Sequence, residues 1–318
     1  MRSRFPAAFR AFRQPRPALG REAAGPETAI AWLTHFHDPE GQAAFARLAD
    51  EAAAIGPVIQ FRDGFSQRSD DPPYEIVPLG EEEIAAAAPT RYREWRSLAQ
   101  AGNYGGGLTD ILLLAAVARL SQYPFVWLIE ADVDFTGDWR RFFEAFRDDE
   151  ADLLGTNLYP FDRSRDWFHW RWFRGPEAAR KDWTRGFFPV ARLSRRFVDA
   201  YLDEVRQEWS GHYEALWPTI ARHRKLKVAD IGGRGPLVPR SRRGRWYTAT
   251  DNPALDSGTF RFRPAVADRY FPLNAGQLPP DHLCHPVKTA AWRAQAGSDA
   301  PRRQGGRAIA GGLPREEP

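Results

Sequence analysis

Cysteine is nearly absent from this 318-residue chain, which contains only Cys284. A single cysteine cannot form an intramolecular disulfide, so the chain is not a disulfide-stabilised scaffold, and its composition fits a reducing compartment. Long apolar runs are absent as well, because no stretch reaches the roughly 18 residues that a membrane-spanning helix needs. The sequence therefore predicts a cytoplasmic protein, with peripheral association at the inner face of the membrane as the alternative.

The body of the chain also lacks an excess of positive charge. The net charge is +4, but the first 21 residues contain six arginines and no acidic residue. Taking those six charges from +4 leaves the remainder of the chain at −2. Nucleic acid is therefore not an expected partner, because binding to phosphate backbones depends on clustered positive charge.

Composition divides the chain into three parts. Residues 1–25 are rich in Arg, Ala and Pro and predict a disordered extension, although such a start is also typical of organelle transit peptides. Residues 291–318 predict a disordered tail. The intervening residues 26–290 show neither a linker nor an internal repeat, so they predict a single domain.

Strands and helices alternate along the first part of this domain. Short apolar runs predict strands at 28–34, 57–61, 125–129, 151–155, 186–191 and 226–231. Helical periodicity predicts helices at 39–54, 90–98, 108–120, 139–146 (with Asp138 as N-cap), 195–209 and after the turn at 211–214. The β-α-β-α-β order predicts an α/β, Rossmann-like fold with a mostly parallel central sheet flanked by helices.

The most informative motif is an apolar strand that runs straight into carboxylates. The sequence FVWLIEADVDF places Glu130, Asp132 and Asp134 at the end of a predicted strand. Open α/β sheets bind ligands in the crevice at the carboxyl ends of their strands. Two carboxylates spaced i, i+2 can reach one hard divalent cation, which shares its remaining positions with water and substrate phosphates. The motif therefore predicts a metal-bound phosphate, as in a nucleotide-sugar site.

Six motifs in a fixed order carry a family resemblance. The motifs are FVWLIEADVDF, FFPVARLSR, GHYEALWPT, DIGG, TFRFRP and HPVK. Over residues 28–289 they resemble an uncharacterised bacterial and fungal family with the GT-A glycosyltransferase fold. The resemblance implies a metal-dependent, inverting transferase of polysaccharide biosynthesis. Its donor would be a nucleotide sugar, with a UDP-sugar favoured, and its acceptor a glycan or a lipid-linked molecule.

The resemblance also implies roles for particular residues. Asp132 and Asp134 match the DxD pair that holds Mn²⁺ or Mg²⁺, and Glu130 is the alternative ligand at this strand end. His285 matches the histidine that completes the metal shell. Glu214, at the start of a later helix, matches the catalytic base of inverting members. The alternatives are a strand-end turn for the aspartates and a favourable contact with the helix dipole for Glu214.

Several residues are weaker candidates for binding the donor or the acceptor. His35, Glu130 and Lys288 are candidates for binding the donor, because His35 follows the first strand and Lys288 can contact a diphosphate. Trp170 and Trp172 belong to the aromatic block at 166–173, and with His212 they are candidates for binding the acceptor. Sugars stack their C–H faces on tryptophan, but such a block is also typical of a core or a lid hinge.

Two further hypotheses remain open. A protein that keeps the fold could bind nucleotide or sugar without turnover. A Gly/Pro-rich loop could close over an anionic donor or touch anionic lipid headgroups, with solvated loop charge as the default. Its arginines are Arg234, Arg240, Arg242, Arg243 and Arg245.

Overall fold

The computed structural model describes residues 27–34, 39–63, 76–100, 109–207, 209–249, 257–262, 271–272 and 278–290. The predicted extension at residues 1–25, the predicted tail at residues 291–318 and the donor-binding candidate His35 lie outside these ranges. Across the described residues, no helix has both the length and the apolar character needed to span a bilayer.

The strands and helices follow the predicted alternation closely. The strands are β1 (Thr28–Thr34), β2 (Val58–Asp63), β3 (Ile76–Leu79), β4 (Phe125–Glu130), β5 (Asp134–Phe135), β6 (Leu153–Pro160), β7 (Thr184–Ser194), β8 (Val228–Asp230), β9 (Phe271–Pro272), β10 (Leu283–Cys284) and β11 (Val287–Lys288). The helices are α1 (Pro39–Glu51), α2 (Glu81–Ala87), α3 (Pro89–Gln100), α4 (Asp110–Arg119), α5 (Trp139–Glu144), α6 (Arg195–Val205) and α7 (Tyr213–His223). The Asp138 side chain accepts a hydrogen bond from the Arg140 N–H at 2.7 Å and so caps α5, as predicted.

In the described residues, seven strands form the central sheet in the order β3-β2-β1-β4-β7-β6-β8. β1 pairs in parallel with β2 and β4, β2 pairs in parallel with β3, and β6 pairs in parallel with β8. Only β7 runs against its neighbours in this sheet, pairing antiparallel with both β4 and β6. This architecture confirms the predicted α/β domain with a mostly parallel sheet.

Helices cover both faces of the sheet, because the central strands are apolar on both sides. In β4, Val126 and Leu128 pack on the face covered by α4, α6 and α7, whereas Trp127 and Ile129 pack on the face covered by α1 and α5. Strands buried on both faces read as continuous apolar runs, which is why β1 and β4 were predicted almost to the residue.

Two elements were missed in the segment before α3. β3 is four residues long and contains Pro78, and α2 follows it directly. Proline weakens a strand prediction, but β3 lies at the edge of the sheet, where proline is tolerated.

Candidate active site

A cleft of about 380 Å³ opens at the carboxyl ends of the parallel strands. The β1–β3 side of the cleft is largely apolar, with Leu33, Phe61 and Leu79 at the strand ends. The end of β4 supplies Glu130 and Asp132. Because the sheet order places β1 and β7 on either side of β4, the polar residues lie near the middle of the sheet edge. The other lining residues are Thr34, Thr109, Leu112, Leu113, Ala131, His169, Phe187, His212, Tyr213, Glu214, Phe262 and His285.

Three of the predicted residues converge at the end of β4. Glu130, Asp132 and His285 each offer a ligand atom, and these atoms lie within 4.8 Å of one another. The Asp132 Oδ1 atom is 3.5 Å from the His285 Nε2 atom. Asp132 and His285 are both buried, at 9% and 2% exposure. His285 follows Asp132 by 153 positions in sequence, so the cluster forms only because the C-terminal segment returns to β4.

Backbone pairing brings His285 to this position. β10 pairs antiparallel with β5, which places Cys284 opposite Asp134. One residue further, the His285 N–H donates to the Thr259 carbonyl at 2.9 Å, and the Val287 N–H donates to the Asp132 carbonyl at 2.7 Å. The C-terminal segment is thus anchored on both sides of the histidine.

The His285 ring is oriented by a second hydrogen bond. Its Nδ1 atom lies 2.5 Å from the Arg261 carbonyl oxygen. A carbonyl only accepts hydrogen bonds, so Nδ1 carries a hydrogen, and the Nε2 atom faces Asp132. Metal-ligating histidines are commonly held in this way, with the second nitrogen donating to a backbone carbonyl.

Lys288 completes the surroundings of Asp132. Its Nζ atom donates to the Asp132 Oδ2 atom at 2.6 Å, leaving Oδ1 on the side of His285. Burial opposes ionisation of Asp132, yet the charges and hydrogen bonds of His285 and Lys288 together lower the pKa of Asp132 below its usual value. Asp132 is therefore an anionic carboxylate that already binds one cationic group.

The donor atoms suit a hard divalent cation. Carboxylate oxygens with one imidazole nitrogen are ligands that Mn²⁺ accepts, and carboxylates with water suit Mg²⁺. The fixed ring orientation of His285 and the 3.5 Å distance between the Asp132 Oδ1 and His285 Nε2 atoms are compatible with a shared ion.

Asp134 lies in a different environment from Asp132. Its carboxylate accepts hydrogen bonds from Arg47 on α1 and from the Phe135 N–H, the latter at 2.8 Å. Burial raises the pKa of Asp134, and the Arg47 charge offsets this only in part. Asp134 is not among the residues that converge with Asp132 in the described part of the chain, so its role as a metal ligand stays a prediction without geometric support.

Glu214 lies in the first turn of α7 and lines the same cleft. His212 is the N-cap of this helix, where its Nδ1 atom accepts from the Glu214 N–H at 3.3 Å. The Glu214 Oε2 atom is 3.6 Å from the same nitrogen. Glu214, predicted as the catalytic base, and His212, predicted to bind the acceptor, thus form one unit at the start of α7.

A buried ionic network lies beneath the start of α7. The Arg91 guanidinium is fully buried and donates two hydrogen bonds to Asp110, at 3.0 and 3.1 Å, and one to Glu94 at 2.6 Å. Tyr201 also donates to Asp110. Glu94 in turn accepts from the backbone of Gly211, the residue before the His212 cap. This network joins α3, α4 and α6 to the turn that presents Glu214.

His169 is a cleft residue that sequence reasoning missed. It belongs to the 3-10 helix Phe168–Trp172, and its ring packs against that of His212 with centroids 3.9 Å apart and a tilt of 33°. Burial, with a smaller effect of Arg171, lowers the pKa of His169 to about 4. Burial, followed by His169 and Arg91, lowers the pKa of His212 to about 2. Both imidazoles are therefore neutral at physiological pH, and the only sequence signal for His169 was its place in the aromatic block.

The two predicted acceptor tryptophans lie in different environments. Trp170 is buried, stacks on Trp183 with centroids 5.7 Å apart, and donates its Nε1–H to the Ser164 carbonyl at 2.8 Å. Trp172 is 47% exposed on the outer side of the same short helix. Trp170 thus has the contacts of a core residue, whereas Trp172 is accessible to a ligand.

Comparisons with known proteins give structural neighbours only. No model of a known protein family matches the chain, and no curated protein matches it. The mannosyltransferase Ktr4p from S. cerevisiae is similar in structure, with 12% identity over 64% of this chain and 68% of that chain and a TM-score of 0.35. Ktr4p in complex with GDP gives 13% identity over 80% and 76%, with a TM-score of 0.37. A glycosyltransferase involved in the glycosylation of the major capsid of PBCV-1 gives 9% identity over 57% and 66%, with a TM-score of 0.26.

Proposed function

We propose that this protein is a metal-dependent glycosyltransferase that moves a sugar from a nucleotide-sugar donor to a glycan or lipid-linked acceptor. The observation that carries the proposal is the convergence of Glu130, Asp132 and His285 in the cleft that Glu214 also lines. A cluster that can hold a cation and a separate carboxylate in the same cleft suit sugar transfer from a nucleoside diphosphate. The resemblance of the ordered motifs to the GT-A family supports the same reaction class.

Glu130, Asp132 and His285 would hold the cation. A bound Mn²⁺ or Mg²⁺ would neutralise the charge that develops on the leaving diphosphate. Lys288, whose Nζ atom lies 2.6 Å from Asp132 Oδ2, adds positive charge beside the same place. In this proposal Lys288 contacts the donor diphosphate, and it keeps Asp132 ionised while doing so.

The proton-accepting role falls on Glu214. An acceptor hydroxyl is a poor nucleophile at neutral pH, so an inverting transferase needs a base within hydrogen-bond reach. The lowered pKa values of His169 and His212, about 4 and about 2, make both imidazoles weak bases. The His212 Nδ1 atom is also engaged with the Glu214 N–H. His212 and His169 then position Glu214 and the acceptor as neutral hydrogen-bonding groups.

The apolar side of the cleft suits the nucleoside part of the donor. Leu33, Phe61 and Leu79 line the cleft on the β1–β3 side of Asp132. A planar base can pack on such side chains while the diphosphate reaches the cation. The preference for a UDP-sugar stays an expectation from the resemblance, because the described lining residues do not distinguish uracil from guanine.

Titration calorimetry with UDP and GDP, each with and without Mn²⁺, tests this function. We expect one of the nucleotides to bind at least tenfold more tightly with Mn²⁺ present, and that dependence to disappear in Asp132→Asn. The matched control Asp134→Asn should retain it. Absence of nucleotide binding in both conditions would contradict the proposal, as would equal loss in both variants.

A non-catalytic nucleotide- or sugar-binding protein is the second candidate. The contact between Lys288 and Asp132 favours it, because an ammonium group already neutralises one oxygen of the carboxylate. The Glu214→Gln variant separates the two functions. A transferase should lose turnover in this variant while keeping its donor affinity, whereas a binding protein shows no turnover to lose.

A further inference from the structure

Large apolar side chains are exposed beside the cleft. In the described part of the chain these are Phe168, Trp172 and Phe262, at 50%, 47% and 41% exposure. Phe168 and Trp172 flank the residue His169, which lines the cleft, and Phe262 lines it directly. Exposed apolar groups that gather at one place mark an interaction surface more often than scattered ones do. We name Phe168, Arg171 and Trp172 the aromatic patch.

The rings of the aromatic patch are already engaged with one another. Phe168 and Trp172 meet edge to face with centroids 4.6 Å apart. The Arg171 guanidinium lies 3.7 Å from the Phe168 centroid and 5.3 Å from that of Trp172. A sugar that stacks on a tryptophan or phenylalanine needs an open ring face, but Arg171 covers one face of Phe168. The arrangement instead forms a compact apolar projection with a cation at its centre.

The surrounding segment is locally basic. Residues 162–182 contain six basic and four acidic side chains, a net charge of +2, whereas the chain after residue 21 has a net charge of −2. The basic residues are all exposed: Arg163, Arg165, Arg171, Arg174, Arg180 and Lys181. The patch thus combines exposed aromatic rings with positive charge on a body that is otherwise slightly negative.

We propose that the aromatic patch docks on an anionic lipid surface, with the mouth of the cleft beside the bilayer. Tryptophan and phenylalanine insert at the boundary between headgroups and acyl chains, and basic residues near them are attracted to anionic headgroups. The inference goes beyond the proposed function, because vesicle binding requires neither donor nor turnover. If both hold, the acceptor is presented at a membrane, which favours the lipid-linked class.

A single-site fluorescent label tests the orientation. Cys284 is buried, and burial raises the pKa of its thiol to about 12, so it should resist labelling. A polarity-sensitive fluorophore can therefore be attached to Trp172→Cys, and to Arg147→Cys as a control at a site that is 64% exposed outside the patch. Vesicles of phosphatidylcholine and phosphatidylglycerol should shift the emission to the blue at position 172 but not at position 147. No shift at 172, or equal shifts at both positions, would overturn the proposal.

Vesicle sedimentation of the full chain measures the contribution of the patch. The six arginines within the first 21 residues can also attract anionic lipid. Every variant therefore keeps the complete chain, so that this contribution is the same in all of them. We expect the double variant Phe168→Ser/Trp172→Ser to bind the mixed vesicles about tenfold more weakly than the wild type. Arg147→Gln should bind like the wild type. Nucleotide affinity, measured by calorimetry, should be the same in all three proteins if they are folded.

The alternative occupant is an oligosaccharide. Mannan- and dextran-derived oligosaccharides are added to the protein labelled at position 172 in the absence of vesicles. A spectral change with these sugars and none with vesicles would identify the patch as a glycan platform and contradict membrane docking. Unchanged sedimentation of the double variant would contradict it as well. Neither result would bear on nucleotide binding, so the proposed function is tested separately.

Discussion

Asp132 and Asp134 are two residues apart in sequence, yet they belong to two different regions of the molecule. Asp132 lies in the cleft with Glu130 and His285 and accepts a hydrogen bond from Lys288, and His285 and Lys288 lower its pKa. Asp134 lies on the α1 side, bound to Arg47, and burial raises its pKa. DxD spacing alone therefore does not place two carboxylates on one ion, because the partners of each side chain decide its role.

The backbone explains the separation. After β4 ends at Glu130, residues 131–133 turn, with the Val133 N–H donating to the Glu130 carbonyl at 3.0 Å. The chain then enters β5, where Asp134 pairs with Cys284 of β10. Asp132 is therefore presented from the turn and Asp134 from a short strand that packs beside α1.

The largest expected difference between the two regions is in catalysis. Glu214→Gln on the cleft side should lower the turnover number about 10³-fold, because a glutamine cannot accept the proton of the acceptor hydroxyl. The matched control is Glu51→Gln on the α1 side, where Glu51 accepts from the Trp139 N–H at 2.9 Å. Steady-state transfer rates should be almost unaffected by Glu51→Gln. Equal losses in the two variants would mean that Glu214 has no special role.

The second largest expected difference is the effect of replacing each aspartate on nucleotide affinity. Asp132→Asn removes a charged ligand from the cluster, and we expect about a hundredfold loss of Mn²⁺-dependent nucleotide affinity. Asp134→Asn leaves that cluster intact, and its affinity should change less than about threefold. Calorimetric titrations of both variants measure this. The reverse order of effects would show that Asp134 is the ligand.

A histidine in the cleft, His169, should contribute to the pH dependence of the free energy of unfolding. His169 has a pKa of about 4 in the folded protein, below its ordinary value of 6.5. As the pH falls from 6.5 toward 4 the unfolded chain binds a proton that the folded chain excludes, so the free energy of unfolding decreases over that range. We expect His169→Gln to reduce this decrease by about 2 kcal/mol, less than the full shift because solvent reaches part of the ring. Urea unfolding at pH 7 and pH 4.5 measures this difference, with His223→Gln as the control variant. The same pH dependence of the free energy of unfolding in His169→Gln and the wild type would contradict the prediction.

The smallest effect is expected from the ion pair on the α1 side. Arg47 also donates to the Phe135 carbonyl at 3.0 Å, and its side chain is 33% exposed. Arg47→Met should lower the free energy of unfolding by about 1 kcal/mol, because Asp134 then loses a hydrogen-bonding partner. Nucleotide affinity should stay unchanged. A loss of affinity with unchanged stability would place Arg47 and Asp134 in the binding site.

The sequence was most informative where burial on both faces made the pattern simple. β1 was predicted from Thr28 to Thr34 and lies there, and β4 differs only by the addition of Glu130. The direction of β7 could not be predicted, because an apolar run is equally compatible with parallel and antiparallel pairing. β3 was not predicted, because four residues that include a proline give no clear alternation of apolar and polar side chains.

The candidate site was predictable only in part, because several of its contacts join residues that are far apart in sequence. Lys288 contacts Asp132 across 156 residues, a pairing that no local pattern encodes. The DIGG motif, which belonged to the family resemblance, forms a structural turn: Asp230 accepts from the Gly232 and Gly233 N–H groups at 2.9 and 3.1 Å. His169 lies among aromatic residues in the sequence, and its lowered pKa follows from burial, which no local pattern encodes.

Crystals soaked with Mn²⁺ and recorded at the manganese absorption edge test the central claim most directly. We predict an anomalous peak beside the Asp132 Oδ1 atom, with Glu130 and His285 as its other protein ligands, and none beside Asp134. A peak at Asp134, or none near Asp132 while Lys288 keeps its contact with that carboxylate, would contradict a metal-dependent transferase built on this cluster.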